Sequence, residues 1–203
     1  MKNIKNVIFD LGGVILNIDI RKTEEALERL GVSGFSRYMG ADAVQSFFKD
    51  YESGKINDDL FVDEIRRLAK KDTKYSDVVA AWNALLLDFP PSRIKLLQEL
   101  KTKYRLFLLS NTNAIHYRQF QAQFFQQTNT RLDELFEKAY YSHTINLRKP
   151  DVACYQYVIK GNSLNPTETL FIDDSELNLE GAKLAGLATA HIRKGFTIED
   201  IEW

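Results

Sequence analysis

The sequence predicts an α/β protein: a Rossmann-like open parallel sheet with a small α-helical cap inserted after the first strand. Three observations predict it. Short apolar runs that end in polar residues recur at Asn6–Asp10, Arg105–Leu109, Ala139–Ser142 and Thr169–Ile172, as strands covered on both faces do. Helical stretches separate the later runs, which is the alternation that builds a parallel sheet. Residues 17–90, by contrast, carry helical periodicity and no convincing strand. The expected boundaries follow: residues 1–16 and 91–203 form the α/β core, and residues 17–90 the cap.

Taken in order, Asn6-Val-Ile-Phe-Asp10 is a buried strand that delivers a carboxylate to a tight loop at Gly12-Gly13. In the insertion, Val44, Phe47, Phe48 and Tyr51 follow the i, i+3, i+4, i+7 spacing of a helix face. Phe61, Ile65 and Leu68 repeat it behind Asn57, an N-cap residue, and Val78, Trp82, Leu85, Leu86 and Phe89 repeat it behind Ser76. These stripes read as core rather than as a binding surface. Pro90-Pro91 closes the insertion ahead of the next helix. Arg105–Leu109 then runs into Ser110-Asn111-Thr112-Asn113, Ala139–Ser142 leads to Lys149-Pro150, and Thr169–Ile172 runs into Asp173-Asp174. Polar residues gathered at the C-terminal ends of parallel strands mark the place where such sheets bind ligands.

Composition narrows the function classes. The chain has 203 residues, 44% hydrophobic and 27% charged, with a formal net charge of −1. That balance gives no electrostatic reason to expect nucleic acid or an anionic membrane as partner. No uncharged apolar stretch is long enough to span a bilayer, and Met1–Asp10 has no apolar signal core. The single cysteine, Cys154, excludes an internal disulfide and points to a reducing cytoplasm. Cys154 reads as packing, and His116, His143 and His191 show no metal-ligand spacing. Tyr117–Phe125 reads as one buried helix face.

Each polar strand end has a local explanation taken alone. Ser110-Asn111 and Asp173-Asp174 suit helix caps, and Lys149 suits a solvated loop. Those readings leave the shared order and placement unexplained. Together, Phe9-Asp-Leu-Gly-Gly-Val14, Leu109-Ser-Asn-Thr-Asn113, Arg148-Lys-Pro150 and Phe171-Ile-Asp-Asp174 resemble motifs one to four of the haloacid dehalogenase superfamily. The resemblance covers nearly the whole chain, helical cap included. It implies that Asp10 attacks phosphate and that Mg2+ is held by Asp10, Asp174 and the backbone carbonyl of Gly12, with Asp173 reaching the metal through a water. It further implies that Lys149, Ser110 and Asn111 bind the phosphate, with Lys149 and Ser110 catalytic, and that Asn178 orients the motif-four carboxylates. The chemistry agrees. A carboxylate attacks an anionic phosphate only where cations neutralise the field, and carboxylate oxygens are the hard ligands magnesium prefers. The expected partner is a small phosphorylated metabolite.

One position departs from the pattern. Phosphatases of the superfamily usually carry a second aspartate two residues after the nucleophile, and this chain has Gly12 there. That removes a general acid–base group worth roughly 10²–10⁴ in rate. The Asp-Leu-Gly-Gly-Val sequence, with the Glu52-Ser-Gly-Lys-Ile56 element and the Trp82-Asn83 pair, is similar to a subgroup that includes bacterial phosphatases of glucose 1-phosphate. A leaving group that needs little protonation, such as an anomeric sugar phosphate or an acyl phosphate, is one consequence; Asn17 or Asp19 taking over the proton is another. Weak turnover by a phosphometabolite-binding protein is a third. The rival enzymes are a metal-independent 2-haloacid dehalogenase, which also uses the motif-one aspartate, and a phosphomutase.

Overall fold

The computed structural model describes residues 3–33 and 47–203. Four strands fall on the apolar runs: β1 (Asn6–Phe9), β2 (Arg105–Ser110), β3 (Lys138–Tyr141) and β4 (Thr169–Asp173). A fifth, β5 (Ala188–His191), escapes the pattern, because its Ala-Thr-Ala-His sequence is short, lacks large apolar residues and lies half exposed. All pairings are parallel, in the order β3-β2-β1-β4-β5. β1 is therefore central, and the strand order reverses between β1 and β4. That switch point opens a crevice at the strand ends, and the polar motifs stand there.

In the insertion after β1 the described helices are α1 (Ile20–Arg29), α2 (Phe47–Glu52), α3 (Asp58–Leu68) and α4 (Tyr75–Asn83). They enclose an apolar cluster built on Leu27, Phe48, Tyr51, Phe61, Ile65 and Trp82, which Ile115 joins from the far side of β2. Asn57 caps α3 as its sequence predicts, accepting from the Leu60 N–H at 2.9 Å. Two expectations for this region need correction, and Val44 lies outside the described residues. Leu68 is exposed and Val62 takes its place on the buried stripe, because the face turned to the cluster drifts by one residue along the helix. The helix expected after Ser76 begins at Tyr75 and stops at Asn83, so Leu85, Leu86 and Phe89 lie beyond it. The outgoing chain pairs instead with the incoming one: Asp19 N–H donates to Leu85 O at 2.9 Å and Leu87 N–H to Asn17 O at 3.0 Å. Extended backbone whose hydrogen bonds are met across a crossing has no need of a helix.

Helices α5 (Pro91–Leu100) and α6 (Ala114–Thr128) flank β2; α7 (Ser142–Ile145) and α8 (Val152–Gly161) follow β3, and α9 (Glu176–Leu184) follows β4. Strand side chains alternate between faces. Val7, Phe9, Leu106, Leu108 and Ile172 meet Leu97 of α5 and Phe120 and Phe124 of α6 on one side. Ile8, Phe107, Leu109 and Phe171 meet Cys154 and Tyr155 of α8 and Ala182 of α9 on the other. Cys154 is thus packing. On α6 the buried face carries Ile115, His116, Phe120 and Phe124, while Phe125 is exposed. Among the described residues no helix is long and apolar enough to cross a membrane.

Candidate active site

Asp10 leaves the central strand with its N–H donating to Ile172 O at 2.9 Å, which straps it to β4. Lys149, almost fully buried, reaches it from the loop after α7. Its Nζ stands 2.7 Å from Asp10 Oδ1 and 2.6 Å from Asp173 Oδ2. Asn111 sets that loop: Lys149 N–H donates to Asn111 Oδ1 and Asn111 Nδ2 donates to Lys149 O, both at 2.9 Å. The Asn111 side chain is therefore occupied by the lysine backbone, and its main-chain N–H is the group it can offer a phosphate. Ser110 ends β2, buried, on the strand next to β1. The turn that follows it is pinned by Ser142, whose Oγ accepts from Thr112 N–H and donates to Thr112 O, both at 2.9 Å.

Asp173 is fully buried and already engaged at both oxygens. Oδ1 accepts from Ser175 N–H at 2.8 Å, Oδ2 meets Lys149, and Asn178 Nδ2 lies 3.0 and 3.2 Å from the pair. Asn178 thus holds the motif-four carboxylate from behind. Asp174 is exposed and packs on Gly13. Gly13 has φ +77°, and a Cβ on it would stand 2.3 Å from Asp174 Oδ2, so only glycine admits both the turn and the carboxylate.

Oxygens of Asp10, Asp173 and Asp174 lie within 4.8 Å of one another. Burial pushes the Asp10 carboxyl up to about 7, against the pull of Lys149, and Asp173 adds to the rise. Asp174 is raised by burial and by Asp173. Burial works against the Lys149 ammonium too, but Asp10 and Asp173 outweigh it and hold the group up to about 12. One ammonium among three crowded carboxylates, two of them buried and Asp174 open to solvent, leaves negative charge uncompensated at the strand ends. A donor set made only of carboxylate and carbonyl oxygen fits a hard divalent cation such as magnesium. Asp10, through the oxygen that Lys149 does not contact, Asp174 and the Gly12 carbonyl are the groups that could hold it.

The place left by the missing aspartate is apolar. A Cβ on Gly12 would stand 3.2 Å from Ile18 Cδ1. Neither nearby polar residue is free to act there. Asn17 accepts from Arg93 Nη1 at 3.0 Å and donates to Asp88 Oδ1 at 3.1 Å. Asp19 caps α1 and gives both oxygens to Arg21 at 3.0 Å.

The helical insertion docks on the same strand ends, through residues whose roles sequence reasoning missed. Trp82 Nε1 donates to Asn113 Oδ1 at 3.3 Å, and the Trp82 ring stacks on His116. Asn113 Oδ1 also accepts from His116 N–H at 3.0 Å, so its amide nitrogen faces His116 Nδ1, and His116 Nε2 is the atom that donates to Trp82 O. Arg148, next to Lys149, pairs with Glu52 at 2.8 Å. Gly54 (φ +69°) lies so close to the core that a Cβ would stand 2.2 Å from His143 O. The sequence signal for this seam was the Glu52-Ser-Gly-Lys-Ile56 element and the Trp82-Asn83 pair, which carry no chemistry of their own.

Residues 4–186 match the model of the haloacid dehalogenase-like hydrolase family. The chain belongs to that family. Among haloacid dehalogenase-like proteins it is 28% identical over 192 residues to D-ribitol-5-phosphate phosphatase of Bacteroides thetaiotaomicron, covering 95% of this chain and 93% of that one. A haloacid dehalogenase family enzyme from Bacteroides thetaiotaomicron, crystallised with magnesium and inorganic phosphate, superposes with a TM-score of 0.87 at 34% identity, over 95% of this chain and 96% of that one. A haloacid dehalogenase-like hydrolase from Porphyromonas gingivalis gives 0.85 at 30% identity, over 93% and 91%. The L-2-haloacid dehalogenase of Xanthobacter autotrophicus shares the fold, with a TM-score of 0.59 at 20% identity over 93% of this chain and 77% of that one.

Proposed function

We propose that this chain is a magnesium-dependent phosphatase of small phosphorylated metabolites, sugar phosphates and foremost an anomeric sugar 1-phosphate, acting through an aspartyl phosphate on Asp10. The observation that carries the reading is the contact of Asp10 with Lys149 inside a three-carboxylate cluster. A reaction run without a metal would leave that acidic cluster short of cations. The related phosphatase and the magnesium–phosphate complex of the related enzyme support it. Residues 17–90 serve as the cap that shuts over the strand ends.

Asp10 attacks phosphorus with one carboxylate oxygen, the ester P–O bond breaks, and water then splits the acyl phosphate to release inorganic phosphate and restore the carboxylate. Lys149, Ser110 and the Asn111 N–H hold the phosphoryl oxygens. Asp10, Asp174 and the Gly12 carbonyl would hold magnesium, which would supply charge neutralisation at the phosphate. Asp173 anchors Lys149 and would reach the metal through a water. Ile18 beside Gly12 offers no proton, which favours leaving oxygens that depart without one.

The test is phosphate release from a panel that includes glucose 1-phosphate, ribitol 5-phosphate and an acyl phosphate, with and without Mg2+, beside Asp10→Asn. Magnesium-dependent release that Asp10→Asn abolishes is expected. Release untouched by Asp10→Asn, or haloacid turnover in the presence of a chelator, would overturn it.

A further inference from the structure

Beside the reaction centre lies a groove of about 770 Å3 that the hydrolysis of a simple monoester leaves without a purpose. Four separate segments wall it: the loop after β1, the first turn of α5, the turn after β4 and the loop 191–197 that follows β5. Asp174 lines it, so the groove is continuous with the metal-binding face of the site. Arg93, Arg193 and Lys194 line it as cations, against one further carboxylate, Glu176.

These cations are poorly compensated. Arg193 and Lys194 have no carboxylate within ion-pair reach among the described residues. Arg193 Nε instead faces His191 Nδ1 at 3.4 Å, and His191 Nε2 lies 3.0 Å from Asp174 O, which ties the arginine to the turn bearing the metal ligand. Arg93 is 9% exposed. Its Nη1 donates to the neutral Asn17, its Nε has no hydrogen-bond partner, and its nearest carboxylate, Glu199, stands at 3.9 Å. A buried guanidinium costs free energy unless its donors and charge are met. Glu176 does not meet it, since its carboxylate is exposed and lies 3.7 Å from His191. Solvated cations on a loop need no explanation, but a buried, under-partnered arginine facing the same space does. The loop face is also open: Gly195, at φ +81°, has nothing within 4 Å of where a Cβ would stand.

We propose that this groove receives a second anionic group, a phosphate or a carboxylate, carried by the leaving portion of the substrate. The inference rests on the phosphatase reading and narrows its substrate class to phosphomonoesters with a second negative charge. Guanidinium forks and an ammonium suit either anion. A neutral polyol would leave Arg193 and Lys194 unmatched and Arg93 with only the distant Glu199. The expected preference is for bisphosphates and phosphorylated acids over the corresponding monophosphates of neutral sugars.

The test compares matched pairs in the presence of Mg2+: glucose 1,6-bisphosphate against glucose 1-phosphate, and 3-phosphoglycerate against glycerol 3-phosphate. The doubly anionic member should show a kcat/KM at least roughly tenfold higher, carried by KM, as a charge-assisted contact predicts. Arg193→Ala/Lys194→Ala, on an exposed loop, should bring the ratio within each pair towards one. Added salt should erode the same ratio. Equal kcat/KM within both pairs, or a ratio the double variant leaves in place, would overturn the groove assignment while the phosphatase reading stands. Phosphate release from no ester would sink the phosphatase reading. A calorimetric titration of Asp10→Asn with the same pairs then decides the groove on binding alone: no tightening by the second anion overturns it.

Discussion

Ile18 stands where a side chain at Gly12 would begin: its Cδ1 is 3.2 Å from the Cβ position of that glycine. The residue that would donate a proton is thus absent, and the space beside it is filled with methyl groups. Gly12 has no positive φ that would bar a side chain, so Ile18 need yield only a few tenths of an ångström. Gly12→Asp should therefore fold. It should raise phosphate release from alkyl phosphates by up to about 10²-fold while changing aryl phosphates little, because only the alkoxide needs the proton. The ratio of the two rates is the measurement, and an unchanged ratio would show that protonation at this position does not limit the reaction.

Lys149 is buried between Asp10 and Asp173. Lys149→Met should leave two carboxylates without their counter-charge, at a cost of about 3–5 kcal/mol in metal-free protein. Urea denaturation measures it. Magnesium should restore part of the lost stability and none of the turnover, since the phosphate still lacks its ammonium.

Asp174 is the carboxylate with no cation in contact, and Gly13 keeps it in place. Asp174→Asn should weaken magnesium binding at least tenfold by calorimetry with the fold unchanged, because an amide oxygen carries no charge to the ion. Asn178→Ala should act more mildly, by freeing Asp173 to reorient.

His116 gives a pH dependence with a definite sign. Burial depresses its folded-state value to about 4 from 6.5. Between those values the unfolded chain binds the proton and the folded one does not, so the group's contribution is complete above about pH 6.5 and disappears as pH falls towards 4. The loss amounts to about 3 kcal/mol. The cause is geometric as well, since Nδ1 accepts from the fixed Asn113 amide and a protonated ring would face it donor to donor. Asp10, raised towards 7, contributes the opposite slope in metal-free protein. The stability difference between the wild type and His116→Gln, followed from pH 7 to 4, isolates the histidine and should shrink.

Gly54 meets His143 O with no room for a side chain, at a positive φ. Gly54→Ala should therefore push α2 and its neighbours off the strand ends. KM should rise by more than stability falls, read by steady-state kinetics beside thermal melting. Equal losses in both would reduce the contact to packing.

By itself the sequence determined the parallel sheet, four of its five strands and the candidates Asp10, Ser110, Lys149, Asp173 and Asp174. Each of those signals is local: an apolar run buried on both faces must end where a polar residue begins, and the residue that ends it sits at the crevice. β5 left no such trace, because an edge strand of alanine and threonine is held by register with β4 rather than by burial of its own side chains. The crossing at Asn17–Asp19 and Leu85–Asp88 was likewise hidden, since apolar residues in an extended pair mimic the end of a helical stripe. Only the tertiary structure decided who serves whom in the site. It assigned the Asn111 side chain to the lysine loop, both oxygens of Asp173 to partners, Asp19 to a helix cap and Ile18 to the acid–base position. Residues far apart in sequence become partners through strand order and docking, and those distances are set by the packing of the whole chain, which no single segment encodes.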